Sequence, residues 1–386
     1  MDRCKASVPG VPLYVTRASL PPLEEYVREI SCMWESHWLT NMGQKHEKLR
    51  EELECYLGVN RCVLFGNGHS ALEATLLAMG LEGEVITTPY TFSSTTHAIV
   101  RAGLVPIMCD VKREDGTLDP ACIEPLITSR TCAILPVHVY GNVCDVDAIA
   151  QIAQRHGLRI VYDAAHAFGV RVNDVPVVTY GDASILSFHA TKVFNSVEGG
   201  AVCVNNDEAL CSKLELLRNF GIVDEDEVAE VGFNAKMSEF HASMGLCNLR
   251  HHSHNVELRR SALSRYRDRL CGVRGLRFVS GVDNVCANGF SFTSNAAYCA
   301  VAVSEEFGMD RDALRSVLAS NGIFARRYFY PCTNDYACYK GMFDPCATPV
   351  ARQLSKQVLC LPLFAGMTIQ EVDYVCDVVL GACDEL

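Results

Sequence analysis

From Asn60 to Asn205 short β-branched runs alternate with stretches whose apolar residues recur at helical spacing. The runs are Cys62 to Phe65, Val85 to Thr88, Val105 to Cys109, Cys132 to Val137, Arg159 to Tyr162, Ser184 to Ser187 and Ala201 to Val204. Between them Ala71, Leu72, Leu76 and Met79 fall on one helical face, and Val146, Ile149, Ile152 and Ala153 on another. This alternation predicts βα units around a mainly parallel sheet. In open sheets of that kind ligands sit beyond the carboxyl ends of the strands, so the residues just after each run are the candidates for chemistry. A charged helical stretch from Met237 to Leu270 follows, and the pattern then restarts. Tyr298 to Val303 reads as a strand, Arg311 to Ser320 as a helix and Phe324 to Tyr330 as a strand. The chain is therefore expected to be α/β, with a large domain over residues 1–250 and a smaller C-terminal α/β domain over residues 251–386.

Length supports that division, because 386 residues exceed what one core holds, about 250–300 residues. A net charge of -12 and a pI near 5.5 argue against general affinity for nucleic acid or an anionic membrane, both of which select a basic surface. No run reaches the ~18–20 apolar residues of a membrane span, and Met1 to Gly10 lacks an apolar signal core; the expected location is the cytoplasm. The 20 cysteines are scattered through stretches such as the apolar Ala201-Val202-Cys203-Val204, and most are expected to be buried, reduced thiols. Cys332, Cys338 and Cys346 lack zinc-ligand spacing, and no metal is expected. His251, His252 and His254 sit in an Arg-rich helical stretch and read as a solvated face.

Four strand ends carry candidate chemistry. Ser187-Phe188-His189-Ala190-Thr191-Lys192 places a lysine at a strand terminus ahead of the small-residue run Glu198-Gly199-Gly200-Ala201. A lysine that must present a neutral amine to an aldehyde needs such a partly desolvated place. Tyr162-Asp163-Ala164-Ala165-His166 delivers a carboxylate from an apolar strand. Asp163 needs a cationic or donor partner there: a pyridinium nitrogen would serve, and capping the next helix is the alternative. His166 either packs over a ring or fills the core. Phe65-Gly66-Asn67-Gly68-His69-Ser70-Ala71 runs a strand through a glycine turn into a helix whose first amides suit a phosphate. The turn also matches a dinucleotide fingerprint, which would make the chain a Rossmann oxidoreductase. That reading wants an acidic residue at the end of the next strand, where Thr88-Pro89-Tyr90 stands instead. Phe92, after this strand, could stack on a planar cofactor or pack in the core.

Taken together, the glycine turn, the aromatic after strand two, Asp-x-x-His, and Ser-x-x-x-x-Lys followed by Glu-Gly-Gly-Ala closely resemble the DegT-type sugar aminotransferases. The resemblance extends from Trp38-Leu39-Thr40-Asn41 through Phe233-Asn234-Ala235-Lys236-Met237 to Arg326-Arg327-Tyr328-Phe329-Tyr330-Pro331. It implies the type I fold of pyridoxal-phosphate-dependent aminotransferases and a homodimer with shared active sites. It also implies that Lys192 carries pyridoxal 5′-phosphate and that Asp163 partners the pyridine nitrogen. Ser187, Gly68 and His69 would then hold the phosphate, Phe92 and His166 the ring, and Asn234 would reach the neighbouring subunit's phosphate. Asn195, Arg327 and Tyr330 would face the nucleotide sugar. The implied reaction moves an amine from L-glutamate to C4 of dTDP-4-keto-6-deoxyglucose, with C3 amination as the alternative. A non-catalytic pyridoxal-phosphate regulator is the other alternative; such proteins usually carry an added DNA-binding segment, and this acidic sequence shows none. One branch of the family has histidine in place of the lysine and performs dehydration; Lys192 argues against it. The chain departs from the family at His69, where threonine or serine is usual.

Overall fold

The computed structural model describes residues 12–281, 284–285, 291–344 and 346–384. Its main sheet has seven strands: β1 (Arg61–Phe65), β2 (Glu84–Thr87), β3 (Val105–Met108), β4 (Thr131–Leu135), β5 (Arg159–Asp163), β6 (Ala183–Ser187) and β7 (Gly200–Val204). Their spatial order is β1-β7-β6-β5-β4-β2-β3, with β7 antiparallel to both neighbours and the remaining pairs parallel. All seven predicted runs are strands, shifted by a residue or two at their ends. This order excludes the Rossmann reading. The strand feeding the glycine turn is the edge strand β1, paired antiparallel to β7, whereas the dinucleotide fingerprint belongs on a central parallel strand.

Helices cover the sheet. In chain order they include α1 (Gln44–Leu57), α2 (Gly68–Ala78), α3 (Ser93–Arg101) and α4 (Val146–His156). The apolar faces expected from spacing are turned inward: Ala71, Leu72 and Leu76 of α2 and Val146, Ile149, Ile152 and Ala153 of α4 are buried, and Met79, just past the end of α2, is half-buried. Asn67 caps α2 by accepting a hydrogen bond from the Ser70 amide at 2.8 Å, which anchors the glycine turn to the helix that follows. Val161 and Ile185 sit in the core next to the functional strand ends, and burial of side chains this size contributes roughly 1.5–3 kcal/mol each.

The charged stretch is one helix of 32 residues, α5 (Glu239–Leu270), started by the Ser238 side chain. Its first half buries Ala242 and Leu246 against Leu49, Leu53 and Phe188. Its second half buries Leu263, Tyr266 and Leu270 with a separate core. That core also holds a three-stranded antiparallel sheet of β8 (Leu276–Phe278), β9 (Cys299–Val303) and β10 (Val358–Leu361). Leu314 and Leu318 from α6 (Arg311–Ser320) and Val372 and Val375 from α7 (Ile369–Asp384) complete it.

Two local expectations are corrected. His252 is not on a solvated face: it is buried edge-on against Phe168 at 4.9 Å and Tyr56 at 5.5 Å, and burial pushes its pKa down to about 3. Residues 324–330 are not one strand, because pairing stops at Ile323–Phe324 apart from a single bridge from Arg326 to Cys360. Consecutive Tyr328 and Phe329 both line the cavity described below, which a strand with side chains on alternate faces cannot achieve. Among the described residues no helix is long and apolar enough to cross a membrane, and the cysteines are free thiols.

Candidate active site

A cavity of about 480 Å³ lies at the carboxyl ends of β2, β5 and β6. It is walled on one side by the segment after β6 with Lys192 and on another by Asp163 and His166. Gly68, His69, Phe92 and Ser187 line the same space, so seven of the predicted residues converge there.

The glycines explain the tight corner at the start of α2. A Cβ on Gly68 would lie 2.9 Å from the Ser187 Cβ, and one on Gly200 would lie 2.6 Å from the Gly68 amide nitrogen. Bare backbone at both positions lets β6, β7 and the helix start meet. The first amides of α2 and the Ser187 hydroxyl thus share one corner of the cavity, an arrangement suited to a phosphate.

Lys192 emerges from a turn in which its own amide donates to the His189 carbonyl at 2.8 Å. Burial lowers its pKa from 10.5 to about 8, with Asp163 opposing the shift, so roughly a tenth of the amine is neutral at pH 7, far more than for an exposed lysine. Between about pH 8 and 10.5 the unfolded chain therefore binds more protons at this position, and the native state gains stability as pH rises through that window. In cofactor-free protein the gain should be at most about 3 kcal/mol, at ~1.4 kcal/mol per pH unit. Urea midpoints of wild type and Lys192→Met at the two ends of the window check this: wild type should gain on the variant, and a constant difference would contradict it.

Asp163 is 7% exposed. Its Oδ2 accepts from the Thr95 hydroxyl at 2.7 Å and its Oδ1 from the Ala165 amide at 3.1 Å. Thr91 and Thr95, one turn apart, are linked at 2.9 Å behind it. Among the described residues no cationic side chain forms an ion pair with this carboxylate. It is oriented by neutral donors and faces the cavity, as a partner for a protonated ring nitrogen must be. No helix begins after β5, so the alternative in which Asp163 caps the next helix does not hold; the Ala165 contact closes the turn that follows the strand.

His166 accepts a hydrogen bond at Nδ1 from the Tyr140 amide at 3.2 Å, which leaves the ring proton on Nε2. Burial, with the nearby Lys192, holds its pKa well below the ordinary value, so it is neutral. Its ring is stacked on Phe329 with centroids 5.7 Å apart and planes 9° from parallel. Phe92 is 58% exposed, on the cavity side, with its ring 6.5 Å from that of Phe329.

Four predicted residues stand elsewhere. Asn195 is buried at 1% exposure and does not line the cavity. Its Nδ2 donates to the Ser19 carbonyl at 3.1 Å, and its Oδ1 accepts from the Val197 amide at 3.2 Å. Asn248 donates to its backbone carbonyl at 2.8 Å. With its amide committed to the protein, Asn195 ties the lysine segment to the N-terminal strap and to α5. Arg327 and Tyr330 also lie outside the cavity lining, because Arg327 pairs with Asp312 at 3.3 Å and its guanidinium sits 4.9 Å over the Tyr330 ring. Asn234 is exposed, outside the cavity of its own chain.

Sequence reasoning passed over Thr95, the Tyr140 amide, and Val15 and Thr16, which reach the cavity from the N-terminal strap. Thr91 and Thr95 at helical spacing after β2 were the available signal for the first. Nothing local announced the others.

Comparison with known proteins decides what this cavity serves. The model of the DegT/DnrJ/EryC1/StrS aminotransferase family matches residues 23–380. The chain belongs to this family. It is thus a pyridoxal-phosphate-dependent sugar aminotransferase, and the residues just described fit that cofactor: a neutral-capable amine, an oriented carboxylate and a phosphate corner in one cavity. The chain is 42% identical to the dTDP-4-amino-4,6-dideoxy-D-glucose transaminase of Shigella dysenteriae over 94% of its own length and 97% of the relative's. It is 37% identical to the Escherichia coli enzyme of the same name, over 95% and 98%. Among solved structures, DesI in the presence of its TDP-sugar product superposes with a TM-score of 0.90 at 33% identity, covering 98% of this chain and 95% of DesI.

Proposed function

We propose that this aminotransferase moves the amine of L-glutamate to C4 of dTDP-4-keto-6-deoxyglucose, giving 2-oxoglutarate and the 4-amino-4,6-dideoxy sugar. The observation that carries the reading is Lys192 and Asp163 on the walls of one cavity at the carboxyl ends of β5 and β6. The names of the two transaminase relatives, and the TDP-sugar product with which DesI was solved, support the choice of sugar nucleotide and of C4.

The cofactor's pyridine ring supplies the electron sink of the reaction. Lys192 anchors the cofactor and, when its amine is freed, takes the proton from the reacting carbon and returns it. Asp163 keeps the ring nitrogen protonated, and Thr95 holds that carboxylate in place. The α2 amides at Gly68 and His69, with Ser187, bind the phosphate. Phe92 and the neutral His166 flank the ring and exclude water. Asn234 of the partner subunit completes the phosphate site, so the working form is a homodimer. Exposed Trp34, Trp38 and Val231, the last 94% exposed, provide apolar surface for that contact. Free thiols and an acidic surface fit the reducing cytoplasm.

The test is to incubate the loaded enzyme with L-glutamate and dTDP-4-keto-6-deoxyglucose and to locate the new amine by NMR. An amine at C4 is expected. An amine at C3, or no amino sugar, would contradict the proposal.

A further inference from the structure

The phosphate corner contains a group that can change its charge. His69 lines the cavity beside Gly68 and Ser187, with Ser94 across from it. Its Nδ1 is hydrogen-bonded to the Ser94 hydroxyl at 2.9 Å, and its Nε2 lies 3.7 Å from Glu73 Oε2, one turn along α2. Glu73 is held in turn by Arg101 at 2.8 Å. The titratable and charged groups around the ring are therefore Glu73 from α2 and His97 and Arg101 from α3.

These neighbours set a balance. Burial lowers the imidazole's pKa below its ordinary value, Glu73 opposes this, and Arg101 and His97 reinforce it. A phosphate dianion at the start of α2 would add negative charge close to a ring whose far nitrogen already has a carboxylate beside it. Opposite charge at that range favours the cationic form. A threonine hydroxyl at this position could donate a hydrogen bond but never a charge.

We propose that His69 binds the cofactor's phosphate as an imidazolium, so that loading the site takes up one proton from solvent at this residue. The inference rests on the cofactor reading above. It makes cofactor retention dependent on pH in a way that a hydroxyl ligand would not: affinity is highest where the ring is cationic and falls as pH rises through the loaded protein's His69 titration.

The experiment is calorimetric titration of cofactor-free protein with pyridoxamine 5′-phosphate, which cannot condense with Lys192. Two buffers of different ionisation heat, both near pH 7.5, report the protons exchanged. Wild type should take up a proton fraction that His69→Thr and His69→Gln do not. From about pH 6.5 to 8 its affinity should fall about three- to tenfold more than theirs. The other ionisable groups of the site and the phosphate itself are common to all three proteins, so the difference belongs to His69. Thermal melts confirm that both variants fold, as the part-exposed ring leads one to expect. Proton uptake persisting in both variants, or equal pH slopes in all three proteins, would overturn the proposal. Failure of wild type to bind pyridoxamine phosphate at all would instead overturn the cofactor reading beneath it.

Discussion

A Lys192→Ala chain is expected to bind pyridoxal phosphate while aminating sugar about 10³- to 10⁴-fold more slowly than wild type. The size follows from losing a positioned proton carrier together with covalent attachment of the cofactor, since general acid–base catalysis alone contributes about 10²- to 10⁴-fold. Binding survives because the phosphate corner at Gly68 and Ser187 and the carboxylate of Asp163 do not depend on the lysine. The side chain is already partly desolvated, so truncation leaves room in an existing cavity and does not break a buried ion pair. Small primary amines added to the assay should restore part of the rate by carrying the proton in its place. Steady-state amination, with cofactor content measured in parallel, checks this. A variant that kept near-normal turnover would remove Lys192 from the mechanism.

Asp163→Asn should lower kcat by about 10²- to 10³-fold with a smaller effect on KM for the sugar, the range seen when one preorganised electrostatic contact to a transition state is removed. The substitution preserves shape and can still accept from Thr95 or the Ala165 amide through its remaining oxygen, so the turn after β5 should persist. What disappears is the negative charge that, in the proposed mechanism, would keep the ring nitrogen protonated. A kcat–KM comparison separates this from misfolding, and circular dichroism confirms the fold. Unchanged kcat would mean that the carboxylate only caps its turn.

Much of this site could be read from sequence because the informative contacts are local. Parallel strands buried on both faces appear as apolar runs, and their ends locate Asp163, Ser187 and Lys192 directly. The Glu-Gly-Gly-Ala run also had a local meaning, since Gly200 is the bare backbone on which the Gly68 turn rests. What stayed hidden depends on partners far along the chain. Asn195 looked like a substrate ligand beside the lysine, yet its amide is used by Ser19 and its backbone by Asn248, 176 and 53 residues away. His252 shared a polar neighbourhood in sequence, but its side chain enters an aromatic cluster built from Tyr56 and Phe168. The alternation from Phe324 to Tyr330 imitated a strand because apolar periodicity does not reveal where pairing ends. The strap that brings Val15 and Thr16 to the cavity is held by a two-residue strand, Leu13–Tyr14, paired with Ile323–Phe324, too short to leave a pattern.

Lys192 is the residue proposed to hold the cofactor. Borohydride reduction of the loaded protein, followed by peptide mapping with mass spectrometry, tests it most directly. A phosphopyridoxyl group is expected on the peptide containing Thr191-Lys192-Val193, lost when the protein is first converted with excess L-glutamate. A label on any other lysine, or no label on protein that retains its cofactor, would contradict it.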